Sequence, residues 1–254
     1  MYERRAGRLK NFKLILEYDG TAYNGWQRQA GAPTVQAEIE RALGRMTRST
    51  VTVIGAGRTD AGVHALGQVT NFRCETRLEP EEILKGLNSL LPRDIAVRDC
   101  RSVPEGFHAR FDAKSKLYQY RILNRDTRAA VGRDYAWFIH RPLNVEAMVQ
   151  AAERLVGQHD FKAFENSGSP RAHTVRHVVR ATWVEEQDRR LAFQIEADGF
   201  LRGMVRNIVG TLVAVGLERL DPSAMEAILA GRDRCQSGAT APARGLFLVE
   251  VKYG

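Results

Sequence analysis

The chain has 254 residues, 38 Lys and Arg against 30 Asp and Glu for a net charge of +8, 44% apolar residues and three cysteines. This length accommodates one large domain or two small ones, and the ordinary apolar fraction with scattered Gly and Pro excludes collagen-like and wholly disordered chains. The longest apolar run, Ile208 to Val215, is far short of the roughly 20 residues that span a bilayer, so no membrane partner is expected.

Near the start, MYERRAGRLK is basic, but two acids in the following LILEYDG interrupt any signal-peptide core, so a cytoplasmic address is expected. Phe12 to Tyr18 alternates apolar and polar residues as a strand does, and Asp19-Gly20 ends it with a turn signal. Thr34 precedes a helix whose apolar face is Val35, Ile39, Ala42, Leu43 and Met46. Val51 to Ile54 and Gln68 to Phe72 read as short strands separated by the glycine-rich GAGRTDAGVHALG. Pro80 opens a second helix through Leu90, with Glu81 and Glu82 near its positive end, and Ile95 to Val103 is a strand. The order βαββαβ is that of the ferredoxin-like, RRM-like arrangement.

The same order recurs after residue 111. Leu117 to Leu123 reads as a strand and Val145 to Val156 as a helix; Val175 to Val184 and Ala192 to Glu196 form an antiparallel pair. Gly203 to Val215 is a second helix, Pro222 to Leu229 an added short one, and Leu246 to Val251 a closing strand. The expected fold is therefore α+β, with two ferredoxin-like halves, 1–110 and 111–254, that would meet in a cleft, where sites tend to form. Thr127 to Arg141 and Glu165 to Arg171 read as irregular loops whose Arg128, Arg133, Arg141 and Arg171 suit RNA phosphates, although solvated connections look the same.

Residues 1–110 hold 17 basic and 13 acidic side chains and the remainder 21 and 17, so each half carries +4 and no basic tail explains the excess. Such a diffuse positive surface fits a polyanionic partner, nucleic acid first, or simple solubility. Only seven basic residues are Lys; the Arg bias fits phosphate and base recognition or a G+C-rich genome.

Metal chemistry finds no support. His173 and His177 stand four apart in strand-like sequence without a third ligand, and the widely spaced Cys74, Cys100 and Cys235 suggest reduced thiols. No phosphate-binding glycine motif sits between a strand and a helix, so no nucleotide cofactor is implied. In GAGRTDAGVHALG, glycines on both sides of Arg-Thr-Asp let backbone approach a ligand closely. Asp60 there is a candidate nucleophile or base, with Arg58 on the same side if the stretch is extended; an Asx-type turn is the structural alternative.

GRTDAGVHALGQVTNF resembles the signature of the tRNA pseudouridine synthase A family. The resemblance extends through EYDGTAYNGWQRQ, VQAEIERAL, LPRDIAV, FHARFDAKSKLYQYRI, HDFKAF, MVRNIVGTL and GLFLV, covering nearly the whole chain in order. It implies an isomerase that converts uridine to pseudouridine at nucleotides 38 to 40 of the tRNA anticodon stem-loop, working as a homodimer without metal or organic cofactor. It implies two ferredoxin-like halves whose sheets flank a central basic active-site cleft, and it makes Asp60 the catalytic carboxylate and Arg206 the arginine expected to pair with it. Tyr118 becomes the substrate-binding tyrosine, Arg58 helps displace the target base, and Leu246 lies beside the flipped base. It matches Phe107, His108, Ala109, Arg110 and Phe111 to an RNA-contacting stretch. A non-catalytic RRM module lacks support because no aromatic RNP1 pattern occurs, and a glycosidase lacks a second carboxylate within the motif.

Overall fold

The computed structural model describes residues 8–166, 168 and 173–254. The chain forms an α+β fold, with five α-helices among the described residues, divided into two compact units: one holds the residues up to Lys114 plus Leu248–Gly254, the other Ser115–Phe247.

The first unit contains β1 (Arg8–Tyr18), α1 (Val35–Thr47), β2 (Val53–Gly55), β3 (His64–Thr76), α2 (Pro80–Leu90) and β4 (Ile95–Val103). β1 lies between β3 and β4, antiparallel to both, and β2 pairs antiparallel with β3. The alternation of β1 buries Phe12, Leu14, Leu16 and Tyr18, and Phe12 stacks on Phe72, its register partner, at 5.3 Å. β3 is much longer than the five residues its composition suggests. Almost every residue from His64 to Phe72 is buried, so no alternating pattern advertises its start, whereas Phe72–Thr76 alternates buried and exposed.

Helix starts show two solutions to the same problem of unbonded N–H groups. Thr34 occupies the N-cap of α1 without a side-chain bond; instead the Val35 and Gln36 N–H groups donate to the carbonyls of Gly25 and Trp26. At α2, Glu79 and Glu82 form a reciprocal capping box ahead of Pro80.

The second unit contains β5 (Ala113–Asn124), β6 (Trp137–Ile139), α3 (Val145–Glu153), β7 (Gly157–Asp160), β8 (Val175–Glu186), β9 (Arg190–Ala197), α4 (Met204–Gly216) and α5 (Ala224–Gly231). A last strand, β10 (Leu246–Tyr253), begins here and ends in the first unit. β9 pairs antiparallel with β5 and β8, and β7 extends β8. The Thr127–Arg141 stretch is not wholly irregular: it holds a 3₁₀ turn at Arg133–Tyr135 and β6, which pairs parallel with Ile122–Asn124. Three residues are too few to show a period, and the same shortness hid β7. The core gathers around α4, which is buried on nearly all sides, including at Asn207 and Thr211.

Candidate functional site

Asp60 sits in the turn between β2 and β3, and the segment after β1 clamps that turn. The Trp26 N–H donates to the Thr59 carbonyl at 3.0 Å, and the Gly62 N–H to the Tyr23 carbonyl at 3.2 Å. Close backbone approach excludes side chains at two glycines of this segment. A Cβ on Gly20 would fall 2.1 Å from the Val63 carbonyl oxygen, and one on Gly25, whose φ is +90°, 2.5 Å from that of Thr59. The ring of Trp26, 2% exposed, packs against Gly55, where a Cβ would sit 2.7 Å away. EYDGTAYNGWQ is thus a buttress for the Asp60 turn, a role invisible in either segment alone.

Within the turn, Asp60 is half-buried, Thr59 buried and Arg58 exposed. The Asp60 carbonyl accepts the Val63 N–H at 3.1 Å, a one-turn closure made by backbone, and Gly62 adopts φ +75° immediately before. A carboxylate on a turn held by its neighbours keeps a defined direction, as a nucleophile or base requires.

Phe107 to Phe111 also belongs to the first unit. Two buried asparagines, Asn11 of β1 and Asn71 of β3, hold this stretch from beneath. Asn11 donates to the carbonyls of Pro104, Glu105 and Phe107, and accepts from Asn71 at 3.1 Å. Asn71 in turn accepts the Ala109 N–H at 2.9 Å, and the Tyr253 hydroxyl donates to the Ala109 carbonyl at 2.6 Å. Ala109 is therefore buried while its neighbours face out: Phe111 is 74% exposed, stacks on His108 at 4.2 Å and lies under the Arg110 guanidinium. An exposed ring beside a cation is suited to stacking on a base. Two asparagines inside strands were the sequence signal for this support, since buried amides need partners.

In the second unit, Tyr118 lies in β5, 6% exposed, with Phe200 edge-on at 4.9 Å. Arg206 occupies the first turn of α4 and donates Nε to the Ala241 carbonyl at 2.8 Å, while its own carbonyl accepts the Ala241 N–H. The next residue, Asn207, is fully buried and makes four bonds: to the Phe164 carbonyl and Asn166 through Nδ2, and from Arg234 and Thr240 through Oδ1. These bonds fasten the start of α4 to the 234–241 segment, whose role the sequence reading missed. Leu246, at the start of β10, is 5% exposed. Close by in sequence, the Tyr120 hydroxyl donates to the Pro242 carbonyl, and burial raises the Tyr120 phenol far above its ordinary range.

Arg128 and Arg141 are exposed, as phosphate ligands must be. Arg171 lies outside the described residues. Two surface hollows of about 280 and 360 Å³ border β7, the first together with β8 and the second with α5, and neither contains an expected site residue. Among the described residues no group of three His, Cys, Asp or Glu could hold a metal, and no helix is long and apolar enough to cross a membrane.

The family model described as tRNA pseudouridine synthase matches residues 14–112 and 151–254. A tRNA pseudouridine synthase A of Thermoanaerobacter sp. (strain X514) is 46% identical over 245 residues, covering 96% of this chain and 100% of that protein. One from Moorella thermoacetica is 48% identical over 243 residues, covering 95% and 98%. Among solved structures, the crystal structure of the archaeal box H/ACA sRNP Nop10-Cbf5 complex covers 80% of this chain and 44% of that one, at 11% identity and a TM-score of 0.33.

Proposed function

Because the chain belongs to the tRNA pseudouridine synthase family, whose members are isomerases, we propose that it converts uridine to pseudouridine at nucleotides 38 to 40 of the tRNA anticodon stem-loop, with the Asp60 carboxylate as nucleophile. The observation that carries the reading is the Asp60 turn: a half-buried carboxylate framed by glycines and fixed from behind by the conformation of residues 20–26.

The reaction breaks the bond from N1 of uracil to C1′ of ribose, turns the base, and joins C5 to C1′. C5 loses its proton and N1 gains one, so atoms balance without a redox partner. A carboxylate suits either route, attack on C1′ or on C6 of the ring. The base must first leave its stack, at a cost of about a few kcal/mol that is smaller in a loop than in a duplex. Arg58, exposed on the same turn as Asp60, is the side chain assigned to fill the vacated space, because a planar guanidinium stacks as a base does.

Tyr118 is assigned to stack on the uracil, Leu246 to lie beside it, and Arg206 to balance the charge of the carboxylate. Phe107 to Phe111, Arg128, Arg141 and Arg171 are assigned to the RNA. Both units are taken as ferredoxin-like variants. The antiparallel pairing of β1 with β3 and β4 and of β2 with β3 supports this for the first, and that of β9 with β5 and β8 for the second. The enzyme works as a cytoplasmic homodimer without metal or organic cofactor in this reading.

Mass spectrometry of an unmodified tRNA incubated with the protein tests the proposal. The wild type is expected to form pseudouridine at nucleotides 38 to 40. Asp60→Asn, nearly isosteric, is expected to bind the tRNA and lose at least about 1,000-fold in rate. No product from the wild type overturns the function, and substantial turnover by Asp60→Asn overturns the nucleophile.

A further inference from the structure

The Asp60 turn is held at two levels. Backbone bonds from Trp26, Gly62 and Val63 define its course. Two side-chain bonds then grip it just ahead of Asp60, on either side of Arg58. The Tyr18 and Thr59 hydroxyls meet at 2.8 Å, both residues being buried, and Gln68, fully buried, donates Nε2 to the Gly57 carbonyl at 2.9 Å.

The gripping residues come from rigid elements. Tyr18 ends β1 and Gln68 lies in β3, where the register sets Leu16 opposite Gln68 and Tyr18 opposite Ala65. The irregularity between Leu16 and Tyr18 shifts the end of β1 relative to β3. Tyr18 is 3% exposed and Gln68 0%, so neither side chain is open to a nucleotide; each bears on the reaction only through the turn. Thr59 immediately precedes Asp60, so its anchorage limits rotation of the peptide that aims the carboxylate.

We propose that Tyr18 and Gln68 are positioning residues that set the direction of Asp60 by gripping the turn at Thr59 and Gly57. The inference rests on the function proposed above. A nucleophile reacts from a near-attack position, and misplacement by about 1 Å costs on the order of 100-fold in rate. The backbone bonds persist when either side-chain bond is removed, so the turn keeps its course while its aim loosens.

The test uses the full-length protein and an unmodified tRNA, with single-turnover rate at saturating enzyme, tRNA Kd and thermal midpoint read for each variant. Tyr18→Phe and Gln68→Leu are each expected to slow the chemical step about 10- to 100-fold with Kd unchanged. Thr59→Val is expected to match Tyr18→Phe, Thr59→Ser to retain the wild-type rate, and the Tyr18→Phe/Thr59→Val double variant to be no slower than either single one. A merely structural role moves the thermal midpoint and leaves the rate of the folded enzyme intact. Wild-type rates for both Tyr18→Phe and Gln68→Leu, losses confined to Kd, or multiplying losses in the double variant overturn the positioning role while leaving the proposed function standing. An inactive wild type overturns both.

Discussion

The Asp60 turn meets its neighbour, residues 20–26, chiefly backbone to backbone, whereas the first turns of α4 meet residues 234–241 largely through side chains. A turn has few bonds of its own, so its direction comes from whatever surrounds it. A helix already fixes the direction of Arg206 through its own ladder, and Asn207, Thr211, Arg234 and Thr240 serve only to lock that helix in place. Glycine appears in both regions for the same reason, close approach, but at Gly25 it also supplies a positive φ. Damage to the first region should therefore show in catalysis before stability, and damage to the second in stability first.

The sharpest test of that contrast is Gly210→Ala. Alanine favours a helix over glycine by roughly 1 kcal/mol, yet the added Cβ would lie 1.6 Å from the Ala239 carbonyl oxygen, and the net loss is expected to be about 3 kcal/mol in urea unfolding. A loss below about 1 kcal/mol would show that the 234–241 segment gives way easily. Asn207→Leu strands the Arg234, Thr240 and Phe164 partners and should cost about 2 to 3 kcal/mol, again in equilibrium unfolding.

Gly25→Ala forces an alanine into φ +90° against the Thr59 carbonyl. It is expected to cost about 1 to 2 kcal/mol of stability, yet to slow pseudouridine formation by the folded protein about 100-fold. An unchanged rate in folded Gly25→Ala would break the contrast.

Tyr18 adds a pH test. Burial pushes its phenol from 10.0 up to about 12. The folded state thus favours the neutral phenol, and this share of stability is complete below pH 10 and is lost as pH rises toward 12. The share is about 2 to 3 kcal/mol, and Tyr18→Phe should abolish it, flattening that part of the alkaline unfolding curve.

The smallest effect is expected at Asp160, far from both regions in sequence. Burial raises its carboxyl, but bonds from the Thr174 hydroxyl and the Lys162 N–H, with the Arg232 charge 3.1 Å away, outweigh that and leave it below the ordinary carboxylate value. Its contribution is present above the unfolded pKa and disappears as pH falls through the folded one. Asp160→Asn should lower stability at neutral pH by less than about 1 kcal/mol and soften the acid arm.

Much of the secondary structure was legible in advance. α2 and β4 occur over Pro80–Leu90 and Ile95–Val103, as proline, acidic residues and alternation indicate. The start of β3 was not, because burial on both faces erases alternation there, and β6 and β7 are too short to carry a period. For the site, the Arg-Thr-Asp segment was visible through its glycines, and the exposed ring of Phe111 through its motif. Among the supports, Tyr18, Gln68 and Asn207 read as ordinary strand and helix residues because each acts on a segment distant in sequence, while Asn11 and Asn71 carried a signal only as amides inside strands.

By itself the sequence determined the elements whose periods and caps are local, and through its motifs the family to which the chain belongs. Only the tertiary structure decided that Gly20 and Gly25 admit the backbone of residues 59–63, and that a tyrosine ending one strand holds the threonine before Asp60. It also decided that the helix of Arg206 is fastened by an arginine 27 residues beyond Asn207. The reason is physical. A hydrophobic period is a property of neighbouring residues, whereas a buried hydrogen bond or a missing Cβ has meaning only once a distant segment occupies the adjoining space.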